Sequence, residues 1–208
     1  MVQSLERLKE SPSQTAGPYI HIGATPNFCG IQGLYAEDLG SRLVNEETRG
    51  TRITLTGRIF DGTGTPLTDA LIEIWQADAA GIYGGRGELR GGSDPNFAGF
   101  GRQALDAETG VFNFWTIKPG RVPFPDGRMM APHVSFWIFA RGINTGLHTR
   151  LYFGDEAEAN AADPVLQRIE QKSRVSTLIA MPSLVAGVQA FTFDIRLQGP
   201  QETVFLDI

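Results

Sequence analysis

His133 and Ser135 stand two residues apart in an apolar run, so on a strand their side chains share one face. A His-x-His pair there would offer a metal two imidazoles, and this chain holds half of that pair. His21 and His148 are isolated in sequence, and a lone strand histidine more often serves hydrogen-bonded structure than ligation. Other chemistries find less. Gly85-Arg-Gly87 is followed by Arg90 where a dinucleotide fingerprint needs its third glycine, and no helical pattern follows, so both the phosphate cradle and the helix dipole are missing. No Gly-x-Ser-x-Gly elbow is present, and no histidine falls in a triad motif. Asp155, Glu156, Glu158 and Asp163 lack the alternating ligands and central glycine of a calcium loop and read as a solvated stretch leading into a helix, whose dipole favours acids. Cys29 is the one cysteine, which excludes an internal disulfide framework and a multi-cysteine zinc site. With no basic cluster to lower its pKa, it is expected to be a small, buried or half-buried side chain.

The elements that must position these residues are short and have period two. In Arg52 to Ile59, Ile53, Leu55 and Ile59 fall on one face and Arg52, Thr54, Thr56 and Arg58 on the other, the pattern of a half-buried strand. Asp61-Gly-Thr-Gly-Thr-Pro66 reads as a turn, and Leu71 to Trp75 as the next strand. Further strands are expected at Val111 to Ile117, His133 to Ala140, Leu147 to Phe153 and Ala190 to Leu197, with weaker candidates at Ser176 to Ala180 and Val204 to Ile208. Seven or eight strands, with 25 glycines and 12 prolines between and around them, predict an all-β sandwich or barrel. One short helix is expected, with Asp163 as N-cap, Pro164 in its first turn, and Val165, Leu166 and Ile169 as its apolar stripe. Residues 1–50 show no sustained period and read as an extended arm ordered against a partner, ahead of a sandwich domain at 51–208.

Composition removes whole classes. With 208 residues, 41% hydrophobic and 20% charged, the chain is neither disordered nor a coiled coil. Eighteen lysines and arginines against 23 acids give a net charge of -5, which offers no field for nucleic acid. The uncharged stretch Ser11 to Ala36 is broken by prolines, and Met129 to Ala140 is too short to span a bilayer, so no membrane segment is expected. Met1 to Glu10 lacks the apolar run of a secretory signal, and a cytoplasmic protein is expected.

Larger motifs carry a resemblance. Leu55-Thr-Gly-Arg-Ile-Phe-Asp-Gly62, Ile72-Glu-Ile-Trp-Gln-Ala-Asp78, Gly81-Ile-Tyr83, Phe100-Gly-Arg102, Thr116-Ile-Lys-Pro-Gly120, Ala131-Pro-His133 and Leu151-Tyr-Phe153 resemble, in order and spacing, the intradiol ring-cleaving dioxygenases. The resemblance covers most of the chain and implies a β-sandwich of the intradiol dioxygenase type. It further implies a non-haem Fe(III) held by two tyrosines and two histidines, with a catechol opened by O2 between its two hydroxyl carbons and both oxygen atoms kept in the product. Carried over by position, Tyr83 and His133 match a ligand tyrosine and a ligand histidine. Val122 and Ser135 stand where the second tyrosine and second histidine belong, and Met130 where an arginine belongs. Two good ligands would hold ferric iron weakly, so this chain is expected to carry no catalytic metal.

Thr15-Ala-Gly-Pro-Tyr19 and Glu202-Thr-Val-Phe205 resemble the ligand-poor chains of two-chain members of this family. Such a chain pairs with a homologous iron-bearing beta chain in a large hetero-oligomer acting on protocatechuate and yielding 3-carboxy-cis,cis-muconate. In those enzymes the ligand-poor chain lines the mouth of its partner's active site. The matching positions here are Thr15, Gly17, Pro18 and, in Phe139-Ala-Arg-Gly142, Arg141, whose guanidinium suits a substrate carboxylate. Two alternatives stay open: iron bound by this chain through Tyr83, His133 and further groups, and a metal-free sandwich serving as a binding or structural module.

Overall fold

The computed structural model describes residues 14–17, 19–85 and 87–207. The expected signal-free start, Met1 to Glu10, and Pro18 lie outside them. A short helix, α1 (Ile20–Ala24), is followed by strand β1 (Arg52–Phe60), whose alternate residues Ile53, Leu55 and Ile59 are fully buried as their period predicts. Then come β2 (Leu71–Trp75), β3 (Phe100–Ala104), β4 (Val111–Ile117), β5 (His133–Phe139) and β6 (Leu147–Phe153). Helix α2 (Ala157–Ala162) precedes the small strands β7 (Ile179–Ala180), β8 (Pro182–Val185), β9 (Val188–Thr192) and β10 (Ile195–Arg196).

The strands form two sheets. In one, β1 is flanked by β4 on one side and by β9 and β10 on the other, with β8 beyond β9; the second runs β3-β2-β5-β6-β7. Aromatic rings interlock between them. Phe112 of β4 meets Phe136 of β5 at 5.7 Å, and Phe153 of β6 meets Phe191 of β9 edge-on at 4.8 Å. These rings and the buried aliphatics of both sheets form one continuous core, so the molecule is the expected β-sandwich. At one end the buried Gln76 crosses between sheets: its amide donates to the Ile117 carbonyl at 2.9 Å and accepts the Thr116 hydroxyl at 2.8 Å.

Several expectations need correction. The strand expected over Ala190 to Leu197 is broken at Phe193 and Asp194, because the Asp194 carboxylate, rather than a backbone carbonyl, takes the Arg58 N–H at 3.1 Å. Ser176 to Ala180 is mostly 3-10 helix, Lys172–Leu178, and 204–207 is not a strand. Strands β3 and β8 were not foreseen. β3 owes its place to β2: Glu73 and Arg102 are direct cross-strand partners and pair at 2.6 Å.

The single helix expected from Asp163 is instead α2 before it and a 3-10 turn, Leu166–Arg168, after it. Asp163 still caps that turn, since its Oδ1 accepts the N–H groups of Val165 and Leu166. Of the acidic stretch, Asp155 and Glu156 pair with Lys118 at 2.8 and 2.7 Å. Cys29 is exposed rather than buried or half-buried, because it lies on the turn that follows α1, with exposed neighbours on both sides. Farther along, Leu43 and Val44 do enter the main core. Among the described residues no helix is long and apolar enough to cross a membrane.

Candidate functional site

Tyr83 sits in the loop after β2, and that loop is wound around one carboxylate. Asp78 Oδ1 accepts the N–H groups of Ala80 and Ile82, both at 2.9 Å, and its Oδ2 accepts that of Asp94 at 2.9 Å. The Asp78 carbonyl takes the N–H groups of Gly81 and Gly120 at 3.0 and 2.8 Å, which draws the Lys118 to Val122 loop against the Tyr83 loop. Contact there is backbone on backbone. A Cβ on Gly120 would lie 2.5 Å from Gly81 N, and one on Gly81, at φ +79°, would lie 2.0 Å from the Arg121 carbonyl oxygen.

This fastening sets Tyr83 against His133 and against the cluster that holds Val122, three of the four positions expected as metal ligands. The Tyr83 hydroxyl lies 3.4 Å from His133 Nε2. His133 Nδ1 is 2.8 Å from the Ala131 carbonyl, which can only accept, so the neutral ring carries its proton on Nδ1 and offers Nε2 to the phenol. Val122 is buried beside Ala77, Met130 and Val165, with Tyr83 packed on them. Ser135 shares the His133 face of β5, and its cross-strand neighbour on β6 is Arg150. Arg150 was not foreseen. The period of β6 puts it on the same face as Tyr152, but only the β5–β6 register sets it opposite Ser135.

Electrostatics at these positions oppose a cation. Burial, and then the Arg150 charge, push His133 down to about 4, while burial holds the Tyr83 phenol above its ordinary value against the pull of Arg150. Both side chains are therefore neutral at pH 7. Ferric iron needs phenolate and imidazole donors and finds here one protonated phenol, one imidazole already hydrogen-bonded to it, a valine and a neutral hydroxyl. The residues present do not fit the ion. Among the described residues no group of three His, Cys, Asp or Glu side chains could hold a metal.

The second set of expected positions lies elsewhere. Thr15 bridges to Asn144, and its hydroxyl accepts the Gly142 N–H at 2.9 Å, next to Arg141. Thr145 N–H donates to the Gln14 carbonyl at 2.8 Å, so the arm is fastened to the loop after β5. The Gly17 carbonyl accepts the N–H of Ile20, the first residue of α1. Arg141, 66% exposed, donates its Nε–H to the Asp69 carboxylate. Thr15, Gly17 and Arg141 thus gather at one end of β5, roughly 20 Å along the strand from His133 at the other. The two constellations cannot share one ligand within this chain.

Comparison with known proteins accounts for the arrangement. A family model described as "Dioxygenase" matches residues 24–199. The chain belongs to the intradiol dioxygenase family. It is 46% identical over 203 residues to the protocatechuate 3,4-dioxygenase alpha chain of Pseudomonas putida, covering 98% of both chains. It is 36% identical over 184 residues to the beta chain of that enzyme from Burkholderia cepacia, covering 81% of this chain and 77% of that one. Among solved structures it is similar to the 3-chlorocatechol 1,2-dioxygenase of Rhodococcus opacus, with a TM-score of 0.59 at 22% identity over 80% of this chain and 69% of the other. That likeness is one of fold. The intradiol dioxygenase sandwich is therefore intact here.

Proposed function

We propose that this chain is the non-catalytic alpha chain of a protocatechuate 3,4-dioxygenase, assembled with a homologous beta chain that carries the Fe(III). The observation that carries this reading is an intradiol dioxygenase fold in which two of the four positions read as metal ligands hold Val122 and Ser135, with the Arg150 cation on the strand opposite Ser135. The 46% identity to an alpha chain over nearly the whole length supports it. Iron supplies the partner with a Lewis-acidic centre that binds the catechol. What falls to this chain is binding and orientation.

Its arm suits that part. Tyr19, Leu34, Tyr35 and Leu39 are each more than 60% exposed, an apolar stretch of a kind that marks a protein interface. Residues 1–50 are read as the segment that packs on the beta chain. Thr15, Gly17, Pro18 and Arg141 would then line the mouth of the partner's site, where the guanidinium attracts the substrate carboxylate and the arm forms a close wall. The substrate is protocatechuate, and O2 opens it to 3-carboxy-cis,cis-muconate. The lone unpaired cysteine fits a cytoplasmic setting.

A tagged pull-down from native cells grown on an aromatic acid tests the reading. It should recover a stoichiometric companion of similar size, about one iron per pair, and oxygen uptake on protocatechuate. A solitary iron-free chain would leave a binding module, and iron on the solitary chain would overturn the argument from Val122 and Ser135.

A further inference from the structure

Lined in part by Met130 and Val165, which pack with Val122, lies a cavity of about 650 Å³, within the range of small-molecule sites, roughly 300–1,000 Å³. Apolar residues, among them Phe124, Val165, Ile169, Phe205 and Leu206, make up much of its wall, charged groups the rest, and Arg150 reaches it from β6. The Arg150 guanidinium is oddly placed. Its Nε is buried and has no hydrogen-bond partner, its terminal nitrogens reach the Met130 sulfur at 3.4 Å and the Tyr152 hydroxyl, and no ion pair is made by Arg150 among the described residues.

A half-buried cation without a counter-charge costs stability that a well-packed apolar residue would not. The cavity's other charges are differently engaged. Arg174 pairs with Glu202 at 3.0 Å, and Arg168 stacks over the Phe124 ring at 4.7 Å. Glu170 and Asp207 line the wall without pairing to Arg150. A planar, two-pronged cation that has no carboxylate partner and faces a cavity with aromatic walls is a receptor for a flat molecule that ends in a carboxylate.

We propose that this cavity is a second organic-anion site, in which a small aromatic carboxylate lies between the apolar walls and pairs its charge with Arg150. The site belongs to this chain alone and does not depend on iron in a partner. It would let the assembled enzyme sense the concentration of the acids among which it works, at a place where no ring is cleaved.

Calorimetric titration of the full-length chain with benzoate, alone and with its beta chain, is the test. One benzoate should bind per copy of this chain, in the assembly as an addition to whatever the iron sites take up. Arg150→Gln should weaken the added site at least tenfold, Arg150→Lys less, and inorganic phosphate should not compete. Leu206→Trp, which fills the cavity and leaves Arg150 in place, should abolish binding and keeps the question open to measurement if Arg150→Gln fails to fold. Equal binding by the wild type and either variant would overturn the proposal. So would crystals of the assembly soaked in benzoate that show a carboxylate of the partner on Arg150. Because the chain alone is titrated, recovery of no iron-bearing partner would defeat the functional reading above without touching this result.

Discussion

The Tyr83 hydroxyl and His133 Nε2 lie 3.4 Å apart and satisfy each other. Two side chains that the functional proposal reads as former metal ligands form a neutral pair, closed off by the Ala131 carbonyl behind the imidazole. Putting back the missing donors is therefore not enough to recover a metal site. Val122→Tyr with Ser135→His restores two donors but leaves the Arg150 charge across the sheet from position 135. The double variant is expected to take up well under one iron per chain after ferric loading and desalting, and the triple variant with Arg150→Gln to take up clearly more. Equal iron content, by elemental analysis, would remove Arg150 from the explanation.

Arg141 is exposed and, among the described residues, pairs with the Asp69 carboxylate alone, so Arg141→Ala should alter stability by no more than about 0.5 kcal/mol. In the assembled enzyme the same change should raise KM for protocatechuate about tenfold, the equivalent of about 1.4 kcal/mol, with kcat nearly kept. Catechol, which lacks the carboxylate, should show no such loss. Steady-state oxygen uptake on the two substrates separates a charge that orients substrate from one that only shapes a loop.

Gly120→Ala places a methyl 2.5 Å from Gly81 N and 2.7 Å from the Ala79 carbonyl oxygen, both backbone atoms that cannot swing aside. A loss of about 2–4 kcal/mol in urea unfolding is expected. Gly81→Ala should cost a similar amount, and the double variant less than the sum, because both disturb one contact. Full additivity would mean that the two loops are not fastened there.

His133 is 2% exposed and titrates near 4 when folded, against about 6.5 in an unfolded chain. Between these values the unfolded state binds the extra proton, so stability falls as pH drops through this window. The contribution of His133 to the loss between pH 7 and pH 5 should be about 2 kcal/mol. Thermal melts of wild type and His133→Gln at both pH values test it: the variant's acid-induced drop should be smaller by about that amount. His148, also held near 4 by burial, keeps part of the drop in the variant.

The long strands were legible because each has one face on the core. β1 alternates over nine residues, and β4, β5 and β6 carry enough aromatic and branched side chains to be read from period alone. β3 and β8 were not, since Phe100-Gly-Arg-Gln-Ala owes its strand to Glu73 across the sheet and β8 is exposed along its whole length. The helix expected from Asp163 went wrong for a similar reason. Asp163 spends its second oxygen on the Ala131 N–H at 2.8 Å, a tertiary bond that no local pattern announces. The family motifs pointed to Tyr83, Val122, His133 and Ser135, and the fold sets Tyr83 against His133 and against the Val122 cluster. Arg150 escaped notice because its meaning depends on register between strands, which one sequence does not display.

The parallel pairing of β1 with β9 and β10 also has a consequence in time. The bond from Arg58 N–H to Asp194 joins residues 136 apart, and the neighbouring ladder bonds span similar separations. A growing polypeptide cannot complete that edge until almost the whole chain has left the ribosome. Until then β1 presents an unpaired row of backbone donors and acceptors, and closing so distant a contact is slow. Newly made chains should thus pass through an interval in which premature association at that edge competes with folding, and subunit assembly begins only after the last strands have come home.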